Sequence, residues 1–337
     1  MRFPVLYYLL FIAISKLQSI ISNDNLLQCT KTDNLTNTSS EMIMKQCTMC
    51  VEEQHKLTII MLYHNECDIL YYQTKQWQEI SPELSKYIRF LIVDDHSLIP
   101  ACNCIKKSST ESVKIDIVRI DSDRIWNIGG ARNLGAYVSC TDFIFICDID
   151  ALVTEVILTN ILPLIIKHTS AYDKVIQLNR KTRKERYGNT HTVHPGVMML
   201  SRDLYWKLNG CDEDFVGHYG FTDKHFMYRL SMKGYNVIIQ ENLHIHLITS
   251  TSKRKIESMI PSNSRNFWNN FRLFNKKMNG SLAWSQKFLR FNWHEGCSIS
   301  SQDTILQNKY LELLQYANHS ISSESVAKNV KVLYEWI

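Results

Sequence analysis

No internal repeat and no long low-complexity tract runs through the 337 residues of this chain, which excludes a solenoid or propeller architecture. No apolar run reaches the roughly 18 residues of a membrane-spanning helix; the N-terminal stretch Phe3–Ile14 is short for one. Strong charge of one sign is missing as well. The net charge is +5 and spread along the chain, so the basic face of a nucleic-acid binder is absent and no nucleic acid is expected as a partner. The one dense basic run, Arg180–Arg186, reads either as a solvated loop or as an attractor for an anionic acceptor or a donor diphosphate. A dinucleotide fingerprint is absent too. Gly129–Asn133 reads GGARN rather than G-x-G-x-x-G, and it follows Trp126-Asn127 instead of leaving a strand directly, which argues against a Rossmann oxidoreductase. Zinc spacing is also absent. Cys47-x-x-Cys50 and Cys102-x-Cys104 have no second pair and no histidine cluster beside them. The ten cysteines therefore read as disulfides of an oxidising compartment, with Cys140 and Cys147, close to buried strands, left free.

What is present is enough apolar residue, 45%, for the core of one large α/β domain or two small ones. Arg2 followed by Phe3–Ile14 has the form of a targeting segment over residues 1–22. It is read either as a signal peptide cleaved near Ala13-x-Ser15, or as a signal anchor extended by Leu17, Ile20 and Ile21. Sequons at Asn34, Asn37, Asn279 and Asn318 agree with entry into the secretory pathway. Residues 23–55 are polar and aperiodic and read as a stem. The catalytic domain is expected over 56–250, with a helical extension packed on it over 251–337; Val326, Val330, Leu333 and Ile337 form its last apolar stripe.

Within the domain, short apolar runs predict strands at Leu57–Tyr63, Phe90–Val93, Ile115–Ile120 and Phe143–Cys147, with further strands at Val175–Leu178, Val197–Leu200 and Val237–Ile239. Helical spacing falls at Glu66–Ile80, Gly130–Ser139, from Leu152 until Pro163 ends or kinks it, at Arg202–Leu208 and at Asp223–Lys233. Strand and helix alternate, which implies a parallel sheet with helices on both faces.

The chemistry concentrates at strand ends. The run Phe143–Cys147 stops in Asp148-Ile149-Asp150, and alternation puts both carboxylates on one side of the chain. Ligands of open α/β sheets bind at the carboxyl ends of the strands, and paired hard oxygens there suit Mg²⁺ or Mn²⁺ carrying a diphosphate. Asp94 and Asp95 end the preceding apolar run, where carboxylates can accept from base N–H and ribose hydroxyl donors; the bland alternative is a strand-end cap.

Taken in order, RFLIVDDHS, WNIGGARNLGA, TDFIFICDIDALV, HPGVMMLSRDLYWKLNGCDEDF and GHYGFTDKHFMYRL resemble the nucleotide-sugar-dependent glycosyltransferases of the GT-A fold. The likeness is to the family-two-like group and, in the last block, to the β-galactosyltransferase group, and it covers roughly Leu57–His246. The resemblance implies a Rossmann-like, mostly parallel sheet with helices on both faces and C-terminal helices. It implies a nucleotide-diphosphate sugar donor (a UDP-sugar), a glycan or glycoprotein acceptor, and Mn²⁺ or Mg²⁺. It assigns Asp94, Asp95, Asn127, Arg132, Asn133 and Asp148 to the donor nucleotide, and Asp148, Asp150 and His246 to the metal, with His244 as second choice. Gly196 and Thr222 fall to the sugar and acceptor, and Asp223 to the general base of an inverting displacement. Asn127 as a plain helix cap and Arg132 as a surface arginine stay open beside these roles. Two rivals remain. A sugar nucleotidyltransferase would carry a glycine-rich basic loop where this chain has Tyr63–Asp68, YHNECD. A degenerate, sugar-binding or scaffold protein draws its support from Thr222, which stands where the resembled families carry an acid.

Overall fold

The computed structural model describes residues 35–36, 55–105, 113–166, 172–181, 191–250, 266–296 and 330–332. The targeting segment, nearly all of the stem, the sequons Asn34, Asn37 and Asn318, and most of the basic run 180–186 lie outside these residues. Among the described residues no helix is long and apolar enough to cross a membrane.

The strands that the apolar runs predict form in order: β1 (Leu57–Tyr63), β2 (Ile88–Asp94), β3 (Lys114–Ile120) and β4 (Phe143–Asp148). They pair in parallel in the spatial order β3-β2-β1-β4. The chain thus builds outward from β1, then crosses back to add β4 on the other side. The carboxyl ends of β1, β2 and β4 meet at that reversal, the topological switch point of an open α/β sheet. β1 and β2 are buried along both faces, as strands covered by helices on each side must be.

Beyond β4 the sheet becomes mixed. β5 (Ala151–Leu152) leaves the main path, and β6 (Lys174–Lys181), β7 (His191–Ser201) and β8 (Asn236–Ser250) extend the sheet. β7 is antiparallel to both β4 and β6, β6 and β8 are parallel, and β5 pairs antiparallel with β8. β8 is far longer than the Val237–Ile239 run suggests.

Alternating strand residues feed two apolar layers. On one face Leu57, Ile59, Phe90 and Phe145 pack with helices α1 (Cys67–Trp77) and α3 (Glu155–Ile166). On the other, Ile60, Leu91, Ile144 and Met198 pack with α2 (Ile128–Val138), α4 (Arg202–Lys207) and α5 (Thr222–Met232). The expected α/β class with helices on both faces is therefore what forms. Pro163 neither ends nor splits α3, which continues to Ile166.

The segment after residue 250 departs from a purely helical extension. It carries one helix, α6 (Trp268–Met278), then Lys287–Phe288, which pairs with Leu35–Thr36, and β9 (Trp293–Glu295), which borders β3 antiparallel. Val330–Val332, expected within a terminal helix, is instead extended and pairs with Ser250–Ile248 of β8; Val326, Leu333 and Ile337 lie outside the described residues.

Cys67 and Cys104 form a disulfide, as oxidising-compartment usage implied. Cys140 is also disulfide-bonded, against the expectation that it is free, whereas Cys147 is free and buried.

Gly135 shows how closely α2 lies on the sheet: a Cβ there would sit 2.4 Å from Ile60 Cγ2, at the centre of β1. Gly135→Ala forces α2 off a fully packed layer, and overpacking of this kind costs about 1–3 kcal/mol. A lower urea midpoint with an unchanged slope is the expected result.

Candidate functional site

The turn that carries the aspartate pair is held from two sides. Gln73 of α1, buried, donates to the carbonyls of Ile149 (3.0 Å) and Ala151 (2.7 Å) and accepts from the Val153 N–H. The Ile248 N–H of β8 donates to the Asp150 carbonyl at 2.7 Å. Asp148 and Asp150 are thereby fixed at the end of β4.

β7 supplies their partner. Its antiparallel register with β4 pairs Phe143 with Ser201 and Ile146 with Met198. Continued in the same sense, that register sets Gly196 beside Asp148 and brings His194 toward Asp150. One ligand atom each from Asp148, Asp150 and His194 lie within 4.8 Å of one another. His194, not His246, completes this cluster. The reason is register: His246 of β8 pairs with Leu152, past the turn, and neither it nor His244 belongs to the cluster of three.

The Gly196 N–H donates to His194 Nδ1 at 3.2 Å, which fixes the ring. Burial lowers the His194 pKa against the opposing pull of Asp148 and Asp150, so the imidazole is neutral at neutral pH, as a metal ligand must be. Gly196 has no room for a side chain: a Cβ would lie 1.9 Å from Asp148 Oδ2. The glycine therefore serves the carboxylate first.

Arg132 of α2 is almost wholly buried, and its guanidinium joins two carboxylates. One Nη donates to Asp148 at 3.0 Å and the other to Asp223 in the first turn of α5. Burial, the largest single influence, lowers its pKa, but Asp148, Cys211 and Tyr205 together outweigh it and raise it. Arg132 is thus neither a surface arginine nor free to reach out to a diphosphate; it binds the metal-type cluster to the candidate base.

The two aspartates after β2 divide their roles. Asp94 is fully buried and accepts from the Ser97 N–H (2.8 Å), the Ala101 N–H (2.9 Å) and Arg119 (2.8 Å). It organises the loop behind the site and has no edge left for a nucleotide. Asp95 is half-buried and accepts from Asn127 Nδ2 at 3.0 Å; burial, helped by Asp94 and Asp123, pushes its pKa up to about 6 against His64 and Asn127. Asn127 starts α2 without capping it through its side chain, and its buried Oδ1 has no hydrogen-bond partner.

Asn133, one residue past Arg132, is structural. It donates to the Cys211 carbonyl and to Glu213, and accepts from Tyr205 and the Cys211 N–H, so its amide is fully used. Thr222 is buried at the first position of α5, with its methyl 3.3 Å from where a Gly129 Cβ would stand. It faces the helix–helix contact rather than an acceptor. The residue that opens α5 is Phe221, at φ +68°.

Two aromatic residues complete the surroundings and carry no assignment from sequence. Trp126, at φ +54°, meets Tyr219 edge to face at 5.0 Å. Tyr219 is half exposed, four residues before Asp223 in the chain, and the Gly217 N–H ties its loop to the Ile125 carbonyl at 2.8 Å. Left-handed backbone at bulky residues is strain that a structure retains where the surroundings demand it.

No protein-family model matches the chain, and no curated protein sequence matches it. Solved structures do. The mannosyltransferase PcManGT from Pyrobaculum calidifontis, in complex with GDP-Man and Mn²⁺, is 15% identical over 64% of this chain and 60% of its own, at a TM-score of 0.45. Residues 1–349 of S. aureus TarS are 12% identical over 56% of this chain and 59% of that one, at 0.41. The catalytic domain of Drosophila β1,4-galactosyltransferase 7, in complex with xylobiose, is 14% identical over 57% and 67%, at 0.38. The chain thus spans about three fifths of the first two and two thirds of the third. It is similar to them; at such identities, function rests on the site's own geometry.

Replacing Gly196 by Ala should displace the Asp148 carboxylate and weaken Mn²⁺ binding, measured by calorimetry or by the electron paramagnetic resonance of free Mn²⁺. His194→Ala should do the same, whereas His246→Ala should bind like the wild type. Weaker binding in His246→Ala alone would restore the ligand set expected from sequence.

Proposed function

We propose that this chain is a GT-A-type glycosyltransferase that moves a sugar from a nucleotide-diphosphate sugar, a UDP-sugar, to a hydroxyl of a glycan or glycoprotein, with inversion. The observation that carries this reading is the Arg132 bridge. It joins a carboxylate–imidazole cluster suited to a metal-bound diphosphate to a single carboxylate, Asp223, suited to taking a proton.

Asp148, Asp150 and His194 would hold a divalent cation. Two carboxylates and a neutral imidazole fit Mn²⁺ better than Mg²⁺, which prefers an all-oxygen shell. When bound, that cation supplies positive charge to the departing nucleoside diphosphate. Asp95, just past β2, presents a partly open acceptor for the nucleoside, and the wholly buried Asn127 holds that carboxylate through its Nδ2. Asp223 lies across Arg132 from Asp148 and is partly open. It accepts the proton of the incoming hydroxyl as the new bond forms, while Arg132 holds its orientation. Tyr219 offers a half-exposed ring on the loop that leads into α5, and Trp126 braces it; a sugar ring packs well on such a face.

The targeting segment and sequons support a place in the endoplasmic reticulum or Golgi lumen, with membrane anchoring if the segment is retained, or secretion if it is cleaved. Asn279 supports this reading further, because it is exposed at the end of α6 and its Oδ1 accepts from Ser281, the sequon hydroxyl, at 2.7 Å. Expression in a eukaryotic cell should give a product whose gel mobility rises after glycosidase treatment; an unglycosylated cytosolic product excludes this route.

For the chemistry, released nucleoside diphosphate should be followed across a panel of nucleotide sugars. Chelation should stop release and Mn²⁺ restore it. Asp223→Asn keeps the shape but removes the base, and kcat should fall by about 10²–10⁴-fold, with little change in the affinity for nucleoside diphosphate and Mn²⁺. Full turnover in excess chelator excludes the metal role, and normal turnover in Asp223→Asn excludes the base.

A further inference from the structure

Helix α6 sits on the domain in an unusual way. Its buried positions are Asn270 and Lys277, two turns apart on one face, while Phe267 and Trp268 at its start remain exposed. A helix that buries an amide and an ammonium gains little from the hydrophobic effect there, so those polar groups must be making specific bonds. They are. Asn270 Nδ2 lies within hydrogen-bonding distance of the carbonyls of Phe215 (3.0 Å), His218 (2.7 Å) and Gly220 (2.9 Å), its two N–H groups shared among the three. Lys277 Nζ meets Asp212 at 2.9 Å and Asp214 at 2.7 Å, and donates to the Ala283 carbonyl at 3.0 Å. Both residues therefore grip the segment 212–220, which leads directly into Asp223.

That segment starts in a short turn, Glu213–Phe215, capped by Asp212, but its far end runs through left-handed backbone. Gly217, Gly220 and Phe221 all have left-handed backbone, at φ +101°, +83° and +68°. A non-glycine residue there is held only by its surroundings, and α6 provides them. The Phe221 ring lies among Phe267, Phe271 and Phe274 of this region, with centroids 6.2, 5.5 and 5.3 Å away. One helix thus fixes both the carbonyls of the loop and the strained residue that opens α5.

We infer that α6 belongs to the catalytic apparatus: Asn270 is a positioning residue that clamps the loop Phe215–Gly220 and so sets Asp223 against Arg132. This rests on Asp223 being the base of the transfer proposed above. The donor side, built on β2, β4 and β7, has no such bond to Asn270. Loss of the clamp should therefore affect turnover and not nucleotide binding.

The test is Asn270→Ala, assayed well below its melting temperature, together with Asn270→Asp, which keeps the shape but places a carboxylate against three carbonyls. Should Asn270→Ala not fold, Asn270→Ser, which keeps one donor, serves the same comparison. Misplacement of a reacting group by about 1 Å can cost about 10²-fold, and a loss of kcat of that order is expected. Affinity for UDP with Mn²⁺ should be unchanged, and hydrogen exchange at amides 215–223 should be faster. A lowered melting temperature with unchanged kcat makes Asn270 merely structural and overturns the inference, as does a parallel loss of UDP affinity. Unchanged amide exchange overturns the clamp whatever the activity. A wild-type chain that transfers no sugar at all removes the catalytic role together with the glycosyl-transfer reading, and exchange at 215–223 tells that failure from failure of the clamp.

Discussion

The site depends on one buried cation. Arg132 is shielded from water, so its charge must be met by protein groups, and those groups come from two distant elements: Asp148 at the end of β4 and Asp223 at the start of α5. Removal of either carboxylate leaves the guanidinium half-paired, and removal of Arg132 leaves two carboxylates close to each other without a counter-charge. The position of α2 on the sheet is therefore also the position of the candidate base relative to the candidate metal site.

That position is set by close packing. Gly135 lies on Ile60, Gly130 on Asn127 and Phe291, and Gly129 on Thr222. The glycines of the WNIGGARNLGA block, which do not form a dinucleotide fingerprint, lie where a Cβ would crowd a neighbouring side chain. They let α2 approach β1 and α5 closely enough for Arg132 to reach both acids. Gly196 does the corresponding work on the other side, where its missing side chain leaves space for the Asp148 carboxylate.

The polar residues around the site fall into two groups by what their hydrogen bonds are used for. Asp94 and Asn133 spend every oxygen and nitrogen on protein partners, and so shape loops. Asp148, Asp150, Asp223 and Asp95 keep part of their surface open, and so remain available to a ligand. For the adjacent aspartates Asp94 and Asp95 residue type cannot separate the two groups; burial and the count of satisfied bonds do.

The sequence by itself determined the first half of the sheet, because parallel strands buried on both faces must be apolar throughout and therefore show as short continuous runs. It determined the aspartate pair at the end of β4 and the acid at the start of α5, since two-residue alternation and the change of period from strand to helix are local properties. Only the tertiary structure decided the rest. His194 joins the aspartates through antiparallel register: the H-x-G of β7 runs against the D-x-D of β4, a pairing between residues some 44 positions apart that carries no local signal. His246, the ligand that the resemblance implied, is instead paired by β8 with Leu152. Asp94 and Asp95 are adjacent and chemically identical, and burial alone assigned one to the loop and the other to the site. The polar face of α6 also needed the fold, because an asparagine reads as surface until three carbonyls are found around it.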